Sequence, residues 1–327
     1  MARIAEDILE AIGGTPLVKL RRIGAETGAR ILVKIESMNP GGSIKSRTAW
    51  WMIEQAERSG KLRPDSIIVE PTSGNQGIGI AMVAAVKGYR VRIIMPECMS
   101  KERQALIRAY GAEVVLTPSG DNIGETIDAC LSTARKMAAE DPRVFVPQQF
   151  ENPNNPDVHR RSTGREILEA VDGQIDAFVA GIGTGGTITG VGEILRDANP
   201  QVRIVAAEPT NAAILQGCCI GIHHQEGIGD GLIPAILNRE IITDLITVSD
   251  EDAITTTRRL AREEGILAGV SSGTNAWAAV EMAKRLGPGS TIVTVLADTG
   301  ERYLSTNLFS QLVTDSTLET RLPDEAF

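Results

Sequence analysis

Short apolar runs rich in valine and isoleucine alternate along the chain with longer stretches of helical periodicity, and this rhythm constrains the fold more than any other feature. The runs fall at Ile31–Ile35, Ile67–Val69, Val91–Met95, Val114–Leu116, Ala177–Ala180, Ile204–Ala207 and Ile292–Leu296. Most are continuous rather than alternating, the pattern of parallel strands covered by helices on both faces. Helices are expected at Ser46–Ser59, Gly77–Lys87, Lys101–Tyr110, Ile123–Ala139, Asp157–Val171, Thr187–Asp197, Asp250–Glu264 and Thr274–Leu286. Ser100 and Ser249 stand where N-caps belong, and Gly88 and Gly111 follow their helices as stops. The alternation predicts an α/β fold built on mainly parallel sheets. A boundary is expected near Gln149–Asp157, where prolines and asparagines crowd between periodic segments.

The chain has 327 residues, 42% hydrophobic and 23% charged, enough for a core and roughly two domains. With 33 basic against 42 acidic residues the net charge is −9, which argues against a nucleic-acid partner, since phosphate-backbone binding needs a basic face. Four cysteines, unevenly placed, make no disulfide framework and point to a reducing, cytoplasmic setting. Glu6, Asp7 and Glu10 interrupt the N-terminus where a secretory signal would be apolar. No apolar run approaches the ~20 residues of a membrane span, so no membrane partner is expected. Ser310–Phe327 is acidic and aperiodic, and reads as a surface tail.

Two glycine-rich loops follow strands and open helices: Glu70–Gly77 and Gly181–Thr187. Each offers close backbone approach and the unpaired N–H groups of a helix N-terminus, a receptor for an anion. Gly181, Gly183 and Gly186 also satisfy the G-x-G-x-x-G spacing, with Glu208 ending the next strand. That fingerprint admits a dinucleotide-binding oxidoreductase or a simple glycine turn for helix–strand packing, and by itself does not choose between them.

Four segments in order do choose: Asn39-Pro-Gly-Gly-Ser-Ile-Lys-Ser-Arg47, Pro71-Thr-Ser-Gly-Asn-Gln-Gly77, Gly183-Thr-Gly-Gly-Thr187 and Gly269-Val-Ser-Ser-Gly273. With Ile12–Leu17, Gln148–Pro153 and Gly300–Thr306, they resemble the cysteine synthase (O-acetylserine sulfhydrylase) family of pyridoxal-phosphate enzymes across nearly the whole chain. The resemblance implies a fold type II, tryptophan synthase β-subunit-like architecture: two parallel-sheet α/β domains with pyridoxal 5'-phosphate between them. The smaller domain would comprise 38–149, the larger 1–37 with 150–309, and 310–327 the tail.

It also implies roles. Lys45 resembles the lysine that holds the cofactor as a Schiff base and moves the Cα proton. Its place at a helix start, where the positive dipole end disfavours a cation, suits the neutral amine this needs. Gly183, Thr184, Gly185, Gly186 and Thr187 look like the phosphate cradle, Asn75 like the contact to the ring oxygen, and Ser271 like the partner of the ring nitrogen. Thr72, Ser73, Gln76 and Gln148 look like the receptor for the substrate α-carboxylate. The implied activity is β-replacement on an O-activated L-serine through an α-aminoacrylate, foremost cysteine synthesis from O-acetylserine and sulfide. Cysteine desulfhydration and the formation of lanthionine, cystathionine or diaminopropionate are the alternatives. The family implies a homodimer, and some members bind serine acetyltransferase.

The chain departs from the family pattern at three places: Gln76 replaces a usual threonine, Ser46 a usual aspartate, and Ala297 a common proline. Gln76 leaves donor and nucleophile open. Cys218, Cys219, His223 and His224 lack the spacing that lets two ligands face one ion, so no metal is expected. Trp50 and Trp51, adjacent on one helix, are expected to pack in different directions.

Overall fold

A computed structural model describes residues 4–120, 123–218 and 220–309. The tail and Cys219 lie outside the described residues. In chain order the elements are β1 (Leu17–Lys19), β2 (Arg30–Ile35), α1 (Lys45–Arg58), β3 (Ile67–Pro71), α2 (Asn75–Lys87), β4 (Arg90–Pro96), α3 (Lys101–Ala109), β5 (Glu113–Thr117), α4 (Ile123–Glu140) and β6 (Val144–Phe145). The second half adds α5 (Asn154–Val158), α6 (Gly164–Ala170), β7 (Ala177–Gly181), α7 (Gly186–Ala198), β8 (Arg203–Pro209), β9 (Asp244–Val248), α8 (Asp250–Glu264), α9 (Val270–Leu286) and β10 (Thr291–Leu296).

The strands form two sheets. One has six strands in the order β1-β2-β10-β7-β8-β9, the other four in the order β5-β4-β3-β6. All pairings are parallel except β1 with β2. Two-sided burial explains the unbroken apolar runs. In the six-stranded sheet Phe178, Ile204 and Val293 pack into the core on one face, while their neighbours Val179, Val205 and Ile292 pack into a separate core on the other. The smaller sheet repeats this, with Ile68 and Ile93 on one face and Val69 and Ile94 on the other. Truncating Phe178 or any of these isoleucines to alanine leaves a cavity and costs about 2–5 kcal/mol.

Ser100 and Ser249 cap α3 and α8 by accepting the N–H groups of Arg103 at 3.4 Å and Asp252 at 3.1 Å. Two helix expectations need amendment, and three strands stand beyond those expected. The helix expected over Asp157–Val171 is instead α5, one π-helical turn at His159–Thr163, and α6. The π-turn lies against α7, where a Cβ on Gly190 would meet the Pro156 carbonyl at 2.3 Å and the His159 Cβ at 2.7 Å. The helix expected from Thr274 begins four residues earlier at Val270, which places Ser271 in its first turn. Strands β1, β6 and β9 lie at sheet edges. They are short or only part-buried, so they lack the apolar signature of the interior strands.

Candidate active site

In parallel α/β sheets a ligand crevice opens outside the carboxyl ends of the strands. Here those ends from both sheets meet at one cavity, lined by Pro71 at the end of β3, Ala180 and Gly181 at the end of β7, Val295 near the end of β10 and Ala297 just after it. Into it come Lys45, Thr72, Ser73, Asn75, Gln76, Gly183, Thr184, Gly185, Thr187 and Ser271.

Lys45 opens α1 and is held there by its neighbours. The Ile44 N–H donates to the Ala297 carbonyl at 2.8 Å, the Thr299 N–H donates to the Gly42 carbonyl at 3.1 Å, and Ser43 bridges Asp298. The loop before Lys45 is thus stitched to the segment leaving β10. Ser46, where the family has aspartate, donates its hydroxyl to the Pro40 carbonyl. The Lys45 amine makes no hydrogen bond or ion pair among the described residues, and its pKa is lowered. Burial is the main cause, opposed by the Asp230 and Asp298 carboxyls. Desolvation therefore supplies the amine-favouring setting that the sequence attributes to the helix start.

Behind α1 lies a neutral cluster of buried ions. Arg47 grips Glu36 through Nε at 2.7 Å and Nη2 at 2.8 Å, and grips Glu166 through Nη1 at 2.6 Å and Nη2 at 2.7 Å. Lys34 donates to Glu166 at 2.6 Å, and Thr15 donates to Glu36 at 2.6 Å.

The Gly183–Thr187 turn is shaped for close approach. Gly185 has φ +77°. A Cβ on Gly183 would strike the Gly227 carbonyl at 2.4 Å, and one on Gly186 the Asn155 Oδ1 at 2.0 Å. Asn155 Nδ2 donates to Thr184 Oγ1 at 2.9 Å and to the Gln149 carbonyl at 2.8 Å. Thr187 Oγ1 pairs with His159 Nε2 at 3.3 Å. Burial, then the Arg47 and Lys45 cations, hold the His159 pKa far below its usual value, so the ring is neutral. Gly186 itself is not among the lining residues.

Glu208, the acid of the dinucleotide fingerprint, is not presented to this cavity. It is buried, and its Oε1 accepts the Leu215 N–H at 3.0 Å.

On the opposite wall, Asn75 is clamped. Its Nδ2 donates to Asp298 Oδ2 at 2.7 Å, and its Oδ1 accepts from Arg302 Nη1 at 2.6 Å. Tyr303 donates to the same Asp298 oxygen at 2.7 Å. Thr72 Oγ1 accepts the Gly74 N–H at 3.0 Å. Gln76 is buried; its Oε1 lies 2.7 Å from Thr48 Oγ1 while its Nε2 has no partner.

Gln148 stands apart from this set. It borders a neighbouring cavity with Glu70 and Glu151, whereas Gln149 and Phe150 line the main one. The cause is local. Gln148 has φ +58°, and Glu70 accepts the N–H groups of Gln148 at 3.1 Å and Gln149 at 3.2 Å. Among functional groups, sequence reasoning missed Asn155, His159 and Asp298, whose partners are remote in the chain, and Asp230, flagged only by its place between two glycines.

Residues 8–298 match the family model described as pyridoxal-phosphate dependent enzyme. The chain belongs to that family. A cysteine synthase of Staphylococcus aureus is 51% identical over 306 residues, spanning 93% of this chain and 97% of the relative. The crystal structure of an O-ureido-L-serine synthase superposes with a TM-score of 0.89 at 43% identity, covering 98% of both chains. A cysteine synthase from Entamoeba histolytica gives 0.88 at 41% identity, covering 94% of this chain and 91% of that one.

The cavity fits the cofactor of a pyridoxal-phosphate dependent enzyme. An unpartnered, desolvated amine suits an aldehyde, and a turn that would not admit a Cβ at Gly183 or Gly186 opens α7 where a phosphate would be received. The Ser271 hydroxyl lines the same cavity. The departures at Ser46 and Ala297 leave this arrangement intact. No group of His, Cys, Asp and Glu among the described residues is arranged to hold a metal ion. No described helix is long and apolar enough to cross a membrane. Trp50 packs with the small-sheet core, while the Trp51 Nε1 donates to Asp157 at 2.9 Å.

Proposed function

We propose that this enzyme catalyses β-replacement on an O-activated L-serine, foremost cysteine synthesis from O-acetylserine and sulfide. The observation that carries the reading is the free, desolvated Lys45 amine, which lines one cavity together with Thr72, Ser73, Asn75 and Gln76. Bound there, pyridoxal phosphate supplies an electron sink that labilises bonds at the amino acid's Cα. The protein supplies the rest. Lys45 would hold the cofactor, and its Nζ takes the Cα proton and later returns it, which requires the amine to be neutral at the moment of attack. Gly183, Thr184, Gly185, Gly186 and Thr187 would receive the phosphate at the α7 N-terminus, with Asn155 and His159 fixing the two hydroxyls. Ser271 would partner the ring nitrogen and Asn75 the ring oxygen.

Thr72, Ser73 and Gln76 bind the α-carboxylate at the α2 N-terminus, whose dipole favours an anion. Gln148 joins them when the loop carrying it closes, and that closure excludes water. The mobile unit is the four-stranded half, 38–149, moving against 1–37 with 150–309. A homodimer in the cytoplasm, with serine acetyltransferase as a further partner, completes the reading by family likeness.

The test is a donor panel on the purified holoenzyme: O-acetylserine, O-phosphoserine, serine and cysteine, each with and without sulfide. Sulfide consumed with cysteine formed from O-acetylserine supports the reading. Sulfide released from cysteine, with no synthesis, would replace it by β-elimination.

A further inference from the structure

Of the described residues lining the cavity, only Lys45 and Asp230 are of a basic or acidic type. Asp230 lies in the connection between β8 and β9, and glycines clamp the backbone on either side of it. Gly229 has φ +67° and donates its N–H to the Ile182 carbonyl at 2.8 Å, and Gly231 has φ +75°. A side chain on Gly229 would strike Pro209 at 2.7 Å and His223 at 2.9 Å, so this segment has little room to shift. Asp230 Oδ2 comes to 3.5 Å from where a Cβ on Gly183 would sit.

Lys45 and His223 are the basic residues that bear on Asp230 electrostatically, yet the carboxylate accepts no hydrogen bond and joins no ion pair among the described residues. A part-desolvated carboxylate without a protein donor is stabilised by a donor that enters from the cavity. Neither a phosphate nor an α-carboxylate can provide one. A second substrate can.

We infer that Asp230 determines specificity for the second substrate, selecting a nucleophile that bears an ammonium or similar hydrogen-bond-donating cation over an anionic one. An amino-thiol is the chemical class that fits. In the overall reaction the donor's Cβ–O bond breaks and acetate leaves. The thiol sulfur bonds Cβ, and the thiol proton is released to balance the acetate. This inference rests on the β-replacement reading above and departs from its foremost acceptor, since sulfide carries no cation for Asp230 to receive.

The experiment uses thiols that differ in charge: cysteamine (cationic), 2-mercaptoethanol (neutral) and 3-mercaptopropionate (anionic). Holoenzyme is charged with O-acetylserine, and kcat/KM for each thiol is divided by that variant's own single-turnover rate of acetate release. In Asp230→Asn, kcat/KM for cysteamine should fall about tenfold or more, the scale of one charge-assisted hydrogen bond, chiefly through KM. That for 3-mercaptopropionate should rise, and Asp230→Glu should keep the wild-type order. A merely structural role would depress all three thiols together. Dissociation constants for the unreactive S-methyl ethers of cysteamine and 3-mercaptopropionate read the same preference without turnover. Acetate release with an unchanged cysteamine-to-mercaptopropionate ratio in Asp230→Asn would overturn the assignment of Asp230. Absence of acetate release in wild type would instead overturn the donor reading.

Discussion

Replacing Glu166 by glutamine tests whether the ion cluster behind α1 anchors the helix that begins with Lys45. The cluster holds two cations, Lys34 and Arg47, and two anions, Glu36 and Glu166, so it is neutral as built. Lys34 and Arg47 are each 1% exposed, and the substitution leaves one of their charges uncompensated. Breaking a fully buried pair costs about 3–5 kcal/mol, but Glu166 is 21% exposed and water screens part of the loss. A second route agrees. Burial pushes the Glu166 carboxyl up, but the hydrogen bonds and charges of Arg47 and Lys34 outweigh it and hold the group down at about 2, against an ordinary 4.5. At about 1.4 kcal/mol per unit that is roughly 3 kcal/mol, and about 2 after discounting for exposure. The expected loss is therefore about 2–3 kcal/mol, or roughly 3–4 °C in Tm for a chain of this length unfolding cooperatively.

Because the folded-state pKa is depressed, the stabilisation is full above the unfolded value and fades as pH falls through about 2. Urea unfolding of wild type and Glu166→Gln at pH 7, and at steps down toward the acid limit, measures both effects. Adding Lys34→Met to Glu166→Gln restores neutrality and should recover part of the loss. A difference below ~0.5 kcal/mol at pH 7, or one that grows on acidification, would refute the reasoning, since neither is compatible with a broken buried pair.

Three further expectations concern the cavity and its borders. Lys45→Ala should lower turnover by about 10³-fold or more, and borohydride reduction followed by mass spectrometry should lose the cofactor adduct on the peptide that contains position 45. Gly186→Ala places a methyl 2.0 Å from Asn155 Oδ1, so the turn must shift, and equilibrium dialysis should show cofactor affinity weakened about tenfold or more. Burial pushes Glu70 up to about 8 while the Gln148 and Gln149 N–H groups pull it down. A raised folded-state pKa means stability is present at low pH and declines as pH rises from the unfolded value through about 8, by at most about 1.4 kcal/mol per unit. Glu70→Gln should flatten that decline in unfolding curves between pH 5 and 9, and an unchanged slope would show that the carboxyl is ionised throughout.

Interior strands and long helices were legible because burial on both faces writes itself into unbroken Val and Ile runs. Of the edge strands, Val114–Leu116 was legible, while Leu17–Lys19, Val144–Phe145 and Asp244–Val248 were not, being short or part-exposed. The start of α9 was hidden because Gly273, a poor helix former, sits in it. Its lack of a side chain serves packing instead, as a Cβ there would lie 2.1 Å from both the Ala253 carbonyl and Thr257 Oγ1. The site was legible as motifs: all but Gly186 and Gln148 of the residues singled out line one cavity. The supporting contacts were not. Asn155 with Thr184 and Asp298 with Asn75 join positions far apart in the chain, and a single sequence carries no record of such pairings.

The grip of Asp298 and Arg302 on Asn75 has a bearing on how hybrids of this enzyme could be assembled. A side chain that lines the cavity is tied to a stretch more than two hundred positions downstream. A graft of residues 72–77 from a relative therefore carries its own tuning only if 298–303 travels with it. Damage to that late stretch would register as a fault in chemistry, though none of its side chains lines the chamber.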